Sequence, residues 1–305
     1  MRTIFNDFPN HDRLKFPDGL FRVTAGKGGE AILVFGSEKT FLVDCGMAYC
    51  GERTVRNIEF ALAMNERTTL DGIILSHTHY DHVGALPYVK RRWPEAVVYG
   101  AAKAKKVFES PRAHALMKEL GTAARNLYSE NKNEILTNGL NVDKVVTEGD
   151  EISIGNEFFR VLETKGHTDC SLTYVLEPRK IMFASESTGV LENPEFVHTS
   201  ILKSYNESMK SAEKCKKYGA KYLICPHFGI LPEYFVEEYF DLYIKSAEFK
   251  KDFLLELHKK GFSQEQILNE YVRQHWSPER GNEQPKEAFT INAKHMIGVI
   301  LREFS

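Results

Sequence analysis

The stretch His77-Thr78-His79-Tyr80-Asp81-His82 follows the apolar run Gly72-Ile73-Ile74-Leu75-Ser76. If that run is a buried strand, His77 and His79 leave its end on the same side, because side chains of an extended chain repeat every second residue. Neutral imidazoles bind borderline metals such as Zn²⁺ or Fe²⁺, while Asp81 adds a hard oxygen and His82 a second direction of approach. The stretch therefore predicts a metal site with ligands for two adjacent ions.

The composition is that of an ordinary soluble protein with a sizeable core, with 42% hydrophobic and 27% charged residues in a chain of 305. A formal charge of -2 gives no strong basic field, which argues against nucleic acid and against membrane partners. The first residues lack the apolar segment of a signal peptide, and no run approaches the roughly 20 apolar residues of a membrane span. We therefore expect a cytoplasmic location.

The cysteines are odd in number and scattered, and none forms a Cys-x-x-Cys pair. This spacing argues against a disulfide framework and against a zinc-ribbon site. We expect most of them to be buried thiols.

The order of patterns along the chain predicts a mixed α and β architecture. Residues 30–35 and 40–44 read as antiparallel strands, and the motif lies in a strand, loop, helix, strand unit that ends near Tyr99. Residues 101–138 are polar and helix-favouring, so we expect a helical insertion that forms one wall of a substrate cleft. A second β-rich block follows at residues 152–183.

Beyond Pro232 the pattern changes to helices alone, and Ser263 with Gln266 forms a possible capping box. We therefore predict one domain over residues 1–235 and a helical C-terminal extension over residues 236–305. The aromatic side chains that open the extension are expected to pack on the core rather than on a second subunit, although a homodimer through these helices is possible. These aromatic residues are Tyr234, Phe235, Tyr239, Phe240 and Tyr243.

Further candidate ligands stand where later strands end. His167 lies in Lys165-Gly166-His167-Thr168-Asp169, where the glycine permits a tight turn, and His227 lies in Cys225-Pro226-His227-Phe228-Gly229. Glu186 follows the strand Ile181-Met182-Phe183 and could bridge two cations through its two oxygens.

With these motifs in order, the chain resembles the metallo-β-lactamase-fold hydrolases over roughly residues 20–230. The matching motifs are Val43-Asp44-Cys45-Gly46, the block from His77 to His82, Gly166-His167-Thr168, Ala184-Ser185-Glu186 and Pro226-His227. The resemblance implies an α+β fold, a four-layer αββα sandwich, here with a helical C-terminal extension. Within the superfamily, the motif surroundings look most like the quinolone-signal thioesterase type.

The resemblance also implies a ligand set for two divalent ions. His77, His79 and His167 would hold the first ion, whereas Asp81, His82 and His227 would hold the second. Glu186 would bridge them, and Asp44 would orient a ligand by hydrogen bonding. The family usually has aspartate where this chain has Glu186, and the longer side chain could change the metal spacing, the number of ions or the preferred metal. Zn²⁺ is favoured, with Fe²⁺ and Mn²⁺ as alternatives.

Two cations about 4 Å apart can share a water and present hydroxide to an electrophilic centre. The leading hypothesis is a metal-dependent hydrolase with a binuclear centre and a bridging hydroxide, acting on a small ester or thioester. In this hypothesis Asp81 belongs to the catalytic centre. Tyr80 or His198 could assist as oxyanion donor or acid, although each is more often structural.

Other functions remain open at this point. Phosphodiester or lactone hydrolysis uses the same chemistry, although the chain has no basic nucleic-acid surface typical of a nuclease and no secretory signal typical of a β-lactamase. A di-iron redox protein of the same fold would carry glutamate at the position of His79 and normally a flavin domain. A regulatory effector is the third class, and alanine at Asp81 should abolish the activity of an enzyme but spare the partner binding of an effector.

Overall fold

The computed structural model describes residues 4–130, 133–276 and 286–305. The strands are β1 (Leu20–Arg22), β2 (Ile32–Phe35), β3 (Thr40–Val43), β4 (Gly72–Ile74), β5 (Val97–Gly100), β6 (Lys144–Val145), β7 (Glu151–Ser153), β8 (Phe158–Glu163), β9 (Leu172–Glu177), β10 (Ile181–Phe183), β11 (Val190–Asn193), β12 (Phe196–His198), β13 (Tyr222–Cys225) and β14 (Gly229–Leu231). The α-helices are α1 (Ile4–Asp7), α2 (Gly51–Met64), α3 (Tyr80–Val83), α4 (Leu86–Arg92), α5 (Ala102–Phe108), α6 (Pro111–Tyr128), α7 (Tyr205–Tyr218), α8 (Val236–Lys259), α9 (Gln264–His275) and α10 (Lys286–Phe304).

Twelve of the described strands form two six-stranded sheets. The first has the order β1-β2-β3-β4-β5-β6. Strands β3 to β6 run parallel because helices connect them, first α2, then α3 and α4, and then α5 and α6. The second has the order β14-β13-β10-β9-β8-β7, in which β10 and β13 are parallel. A separate hairpin pairs β11 with β12.

Successive side chains of a strand point to opposite faces of its sheet. In each sheet one face packs on helices and the other face packs on the facing sheet, and these contacts define the layers. In β2, Leu33 packs toward α2 and α4, whereas Ile32 and Val34 pack between the two sheets. In the second sheet, Tyr174 faces the first sheet, while Val175 packs with α7 and α8. The predicted four-layer αββα sandwich is confirmed.

The helical C-terminal extension is also confirmed. Ser263 accepts from the Gln266 backbone while the Gln266 side chain accepts from the Ser263 backbone, so the predicted capping box is present. Four of the aromatic side chains named above are buried against the second sheet, as expected, and Tyr234 is 46% exposed. The boundary between residues 235 and 236 stays a prediction.

The insertion is helical, as predicted, and consists of α5 and α6. Helix α6 packs against α3 and against the 3₁₀ helix Ala48–Cys50, so it lies beside the His77 to His82 block. The cysteines, all within the described residues, are buried free thiols. Among the described helices, none is both long and apolar enough to cross a membrane.

Candidate metal centre

The predicted ligands follow the carboxyl ends of strands, and three of these strands, β8, β10 and β13, run in the same direction within the second sheet. The ends of β4 and β8 lead to His77 and His167, and the ends of β10 and β13 lead to Glu186 and His227. The ends of β8, β10 and β13 therefore lie at one edge of the second sheet, and the residues that follow β4 in the first sheet meet them there. Two groups of potential ligand atoms result, each within 4.8 Å: His77, His79 and His167 in one, and Asp81, His82, Glu186 and His227 in the other.

The first group consists of three imidazoles that face one another. The His79 Nδ1 and His167 Nε2 atoms are 2.9 Å apart, and the His77 and His79 ring centres are 4.6 Å apart. The Nε2 atom of His77 is buried and has no hydrogen-bond partner in the described part of the chain. Strand β4 ends at Ile74, so His77 and His79 lie in the loop between β4 and α3, and strand alternation does not apply to them directly.

The second group surrounds one carboxylate. Glu186 Oε1 lies 2.8 Å from His82 Nε2 and 3.0 Å from His227 Nε2, while Oε2 lies 3.5 Å from His167 Nε2 in the first group. Asp81 Oδ2 is 3.3 Å from His227 Nε2. The two oxygens of Glu186 therefore reach toward both groups, which is the arrangement that a bridging ligand needs.

Hydrogen bonds behind these side chains fix the orientation of three rings. Asp44 Oδ2 lies 2.9 Å from His82 Nδ1 and accepts from the Ser76 hydroxyl at 2.5 Å. The same hydroxyl lies 3.0 Å from His77 Nδ1. His167 Nδ1 donates to the Ser200 carbonyl at 2.7 Å. With one nitrogen of each ring engaged, the other nitrogen is left for a metal.

Burial and neighbouring charges set the protonation of the first group. Burial, together with the neighbouring imidazoles, lowers the pKa of His77 well below its ordinary value. Burial and His167 lower the pKa of His79 to about 4. Both rings are therefore neutral at physiological pH, which is the form that binds a metal.

The second group has the opposite electrostatics. Burial alone would lower the pKa of His82, but Asp81 and the hydrogen bonds to Asp44 and Glu186 raise it well above its ordinary value. Burial would likewise lower the pKa of His227, but Asp81 and Glu186 raise it to about 10. Burial would raise the pKa of Asp81, but His82 and His227 lower it to about 2. In this group the protons on the imidazoles of His82 and His227 therefore neutralise the negative charges of the carboxylates, as a bound metal cation would.

These residues fit a pair of divalent metal ions. Metal–nitrogen bonds of about 2.0–2.1 Å place two ligands of one ion roughly 3–3.4 Å apart, close to the separations of 2.9 Å in the first group and 3.3 Å in the second. The partnerless Nε2 atom of His77 is the kind of buried polar atom that a bound ion explains. The donor set of imidazoles and carboxylates suits Zn²⁺, Fe²⁺ or Mn²⁺.

The backbone around the centre is unusual at two non-glycine positions. Asp44 and His227 have φ angles of 52° and 61°, a left-handed conformation that costs on the order of 1 kcal/mol or more. Both are predicted site residues, so the surrounding structure holds them where their side chains meet the other groups. Gly29 passes so close that an added Cβ would lie 2.7 Å from the His82 ring.

The two proposed helper residues lie beside the groups without joining them. Tyr80 packs in an apolar cluster with Met47 and with the rings of Tyr49 and Tyr128, and burial raises its pKa, so its hydroxyl stays protonated. His198 lies in β12 with its Nδ1 atom 4.0 Å from a Glu192 oxygen. Catalytic roles for both residues remain predictions.

Sequence reasoning did not identify Ser76 or Tyr239. Ser76 directly precedes His77 in the sequence, and a hydroxyl next to the first ligand could have indicated a residue that orients that ligand. The Tyr239 hydroxyl lies 2.8 Å from the carbonyl oxygens of both Thr188 and Gly189 and shares its one hydrogen between them, so it holds the turn that carries Glu186. Its partners are about 50 residues away in the sequence, and no local pattern marks them.

Comparison with curated proteins gives relatives named hydroxyacylglutathione hydrolase. The protein from Nitrobacter hamburgensis is 30% identical over 122 residues, which are 40% of this chain and 35% of that protein. The protein from Legionella pneumophila is 26% identical over 118 residues, 39% of this chain and 33% of that protein. The chain therefore matches about a third of the length of these relatives.

Solved structures give the same fold over nearly the whole chain. An archaeal metallo-beta-lactamase superfamily protein from Sulfolobus tokodaii has a TM-score of 0.60 at 17% identity, covering 94% of this chain and 100% of that one. A metallo-beta-lactamase family protein from Thermus thermophilus has a TM-score of 0.63 at 16% identity, covering 94% of each. The model of the metallo-beta-lactamase superfamily matches residues 26–227, which include all the candidate ligands. The chain therefore belongs to the metallo-beta-lactamase superfamily.

Proposed function

We propose that the protein is a metal-dependent hydrolase with a binuclear centre, and that its substrate is a small ester or thioester. The observation that carries the proposal is Glu186, whose two oxygens face two separate ligand groups. The relatives named hydroxyacylglutathione hydrolase support the thioester class. The quinolone-signal thioesterase type stays a prediction.

Two bound cations supply an activated water and neutralise negative charge that develops on the substrate. The chain's own residues position that chemistry. Asp44 holds His82 directly and His77 through the Ser76 hydroxyl, so one carboxylate orients a ligand in each group. Burial of His77 and His82 excludes bulk water, which strengthens electrostatic interactions in the centre.

Access to the centre is from the side of the second group. His77 and His82 are buried to 1% exposure or less, whereas the His227 side chain is 28% exposed and that of Asp81 is 17% exposed. A substrate therefore meets Asp81 and His227 first, together with the half-buried His79 of the first group, while His77 and His167 lie behind them.

We propose Zn²⁺ as the metal, because histidine and carboxylate ligands in a closed, pre-oriented set are typical of zinc sites. Fe²⁺ and Mn²⁺ accept the same donors. Glu186 is one methylene longer than the aspartate usual in the family, and its position between the groups supports two ions rather than one.

The test is elemental analysis of protein purified without added metal, together with hydrolysis of thioester, ester and phosphodiester reporters. The matched variants are Glu186→Asp, which shortens the bridging side chain, and Glu195→Asp, which makes the same change at an exposed position of the neighbouring hairpin. We expect about two equivalents of metal and chelator-sensitive thioester hydrolysis in the wild type and in Glu195→Asp. Near-stoichiometric iron without hydrolysis of any reporter would instead indicate a redox protein or an effector.

A further inference from the structure

Helix α6 of the insertion lies between the core and solvent. Its buried residues are Gly121 and Ala124, and the helix packs on α3 and on the 3₁₀ helix Ala48–Cys50. A surface helix of this kind ordinarily presents polar side chains on the faces that turn away from the core. Helix α6 instead also presents leucines to solvent, on a second apolar face that the described residues leave exposed.

The exposed apolar residues of α6 form one stripe. Leu116, Leu120 and Leu127 are 52%, 37% and 58% exposed, and Ala123 is exposed as well. These positions follow the spacing i, i+4, i+7 and i+11, which places them on one side of a helix. Single exposed leucines are ordinary on a protein surface, whereas a continuous apolar stripe about 16 Å long indicates an interaction surface.

The stripe is self-complementary when two copies of α6 pack antiparallel. The outer leucines, Leu116 and Leu127, and the inner residues, Leu120 and Ala123, are symmetric about one point midway along the stripe. A two-fold axis at that point places Leu116 of one copy opposite Leu127 of the other, and Leu120 opposite Ala123. The large side chain of Leu120 therefore meets a small residue, which allows the two helices to approach closely.

The charges at the ends of the stripe favour the same antiparallel arrangement. Arg112 lies one turn before Leu116, and Glu130 follows the end of α6 just beyond Leu127; both charged residues are exposed. Antiparallel packing brings Arg112 of one copy toward Glu130 of the other at each end of the contact, whereas parallel packing brings like charges together. It also places the positive end of each helix dipole beside the negative end of the other.

We propose that a second copy of this chain binds to the stripe, in a homodimer whose two α6 helices pack antiparallel. The contact is one helix wide and buries less than the roughly 1,600 Å² of a standard interface, so we expect a dissociation constant on the order of 10 μM. This contact differs from a homodimer through the C-terminal helices. Because α6 packs on α3, which carries Asp81 and His82, the second copy would also hold the insertion against the metal centre. The dimer does not require the proposed hydrolase activity.

Sedimentation equilibrium of the full chain, at protein concentrations from about 1 to 500 μM, measures the dimer without any assay of activity. We compare the wild type with Leu120→Glu, and with Phe60→Glu, which introduces the same charge at a 70% exposed apolar position of α2. We expect Leu120→Glu to raise the dissociation constant at least about tenfold, and Phe60→Glu to leave it unchanged. A wild type that stays monomeric at every concentration, or a dimer that persists equally in Leu120→Glu, would overturn the proposal.

Charge reversal tests the antiparallel arrangement itself. Arg112→Glu and Glu130→Arg should each weaken the dimer about two- to tenfold, because each change puts like charges together at both ends of the contact. The double variant that carries both changes should recover the affinity of the wild type, since opposite charges meet again. All of these positions are exposed, so unchanged urea midpoints should show that the variants fold. No effect of the single changes, or no recovery in the double variant, would overturn the antiparallel contact.

Discussion

Replacement of Lys250 on α8 by methionine should stabilise the protein, because this amine is 1% exposed and has no hydrogen-bond partner among the described residues. The pKa of Lys250 falls from an ordinary value of 10.5 to about 7 because the amine is buried. At about 1.36 kcal/mol for each pH unit, this difference corresponds to an upper limit of roughly 5 kcal/mol of lost stability. Methionine keeps the apolar stem and removes the amine, so we expect a gain of about 2–4 kcal/mol at pH 7.

The gain should depend on pH with a definite sign. Between about pH 7 and 10.5 the unfolded chain binds a proton at Lys250 that the folded protein does not, so the stability of the wild type rises with pH in this window. The advantage of Lys250→Met is therefore largest at pH 7 and below, and it disappears near pH 10.5.

Urea unfolding at several pH values measures the effect. A gain of 3 kcal/mol raises the urea midpoint by about 1 M for a slope near 3 kcal/mol/M. Lys245→Met is the control, since that lysine is exposed on the same helix and should give no such pH dependence. A destabilised Lys250→Met protein, or a gain that does not shrink between pH 7 and 10, would refute the reasoning.

Three further predictions concern the metal centre and its support. Asp44→Asn should weaken metal binding about 10–100-fold in a chelator competition, because Asp44 orients His82. Gly29→Ala should lower metal content, since its Cβ would lie 2.7 Å from the His82 ring, whereas Gly298→Ala, with nothing within 4 Å, should raise the urea midpoint slightly. Tyr239→Phe should cost about 1–3 kcal/mol in unfolding experiments, since two buried carbonyls lose their donor.

The metal-ligand candidates were visible in the sequence because each follows a strand that a short apolar run already marks. His77 and His79 are two residues apart just after an apolar run, a spacing that already suggests two ligands of one site, although β4 itself ends at Ile74. The layers of the sandwich were expected from resemblance rather than from pattern. The hairpin of β11 and β12, which carries His198, was not predicted, since its three- and four-residue strands give little periodic signal.

Contacts between segments that are distant along the chain could not be predicted from the sequence. Asp44 and Ser76 are 32 residues apart, and only the parallel pairing of β3 with β4 brings them together. Lys250 carried a local signal that went unused, because it falls at helical spacing with the buried residues Tyr243, Ala247 and Leu254. A lysine on such an apolar stripe indicates either that this face of the helix is exposed or that the amine is buried. In the structure the amine is buried.

The hydroxyl of Tyr239 has a practical consequence for engineering this protein. Helix α8 supplies the one side chain, Tyr239, that donates to both carbonyls of the turn after Glu186 within the described residues. A shortened version ending at residue 235 would leave those carbonyls without this donor, so the turn after Glu186 would lose a contact that holds its backbone. A chimera that replaces this turn with that of a relative should therefore also replace α8, so that the turn keeps the side chain that contacts it.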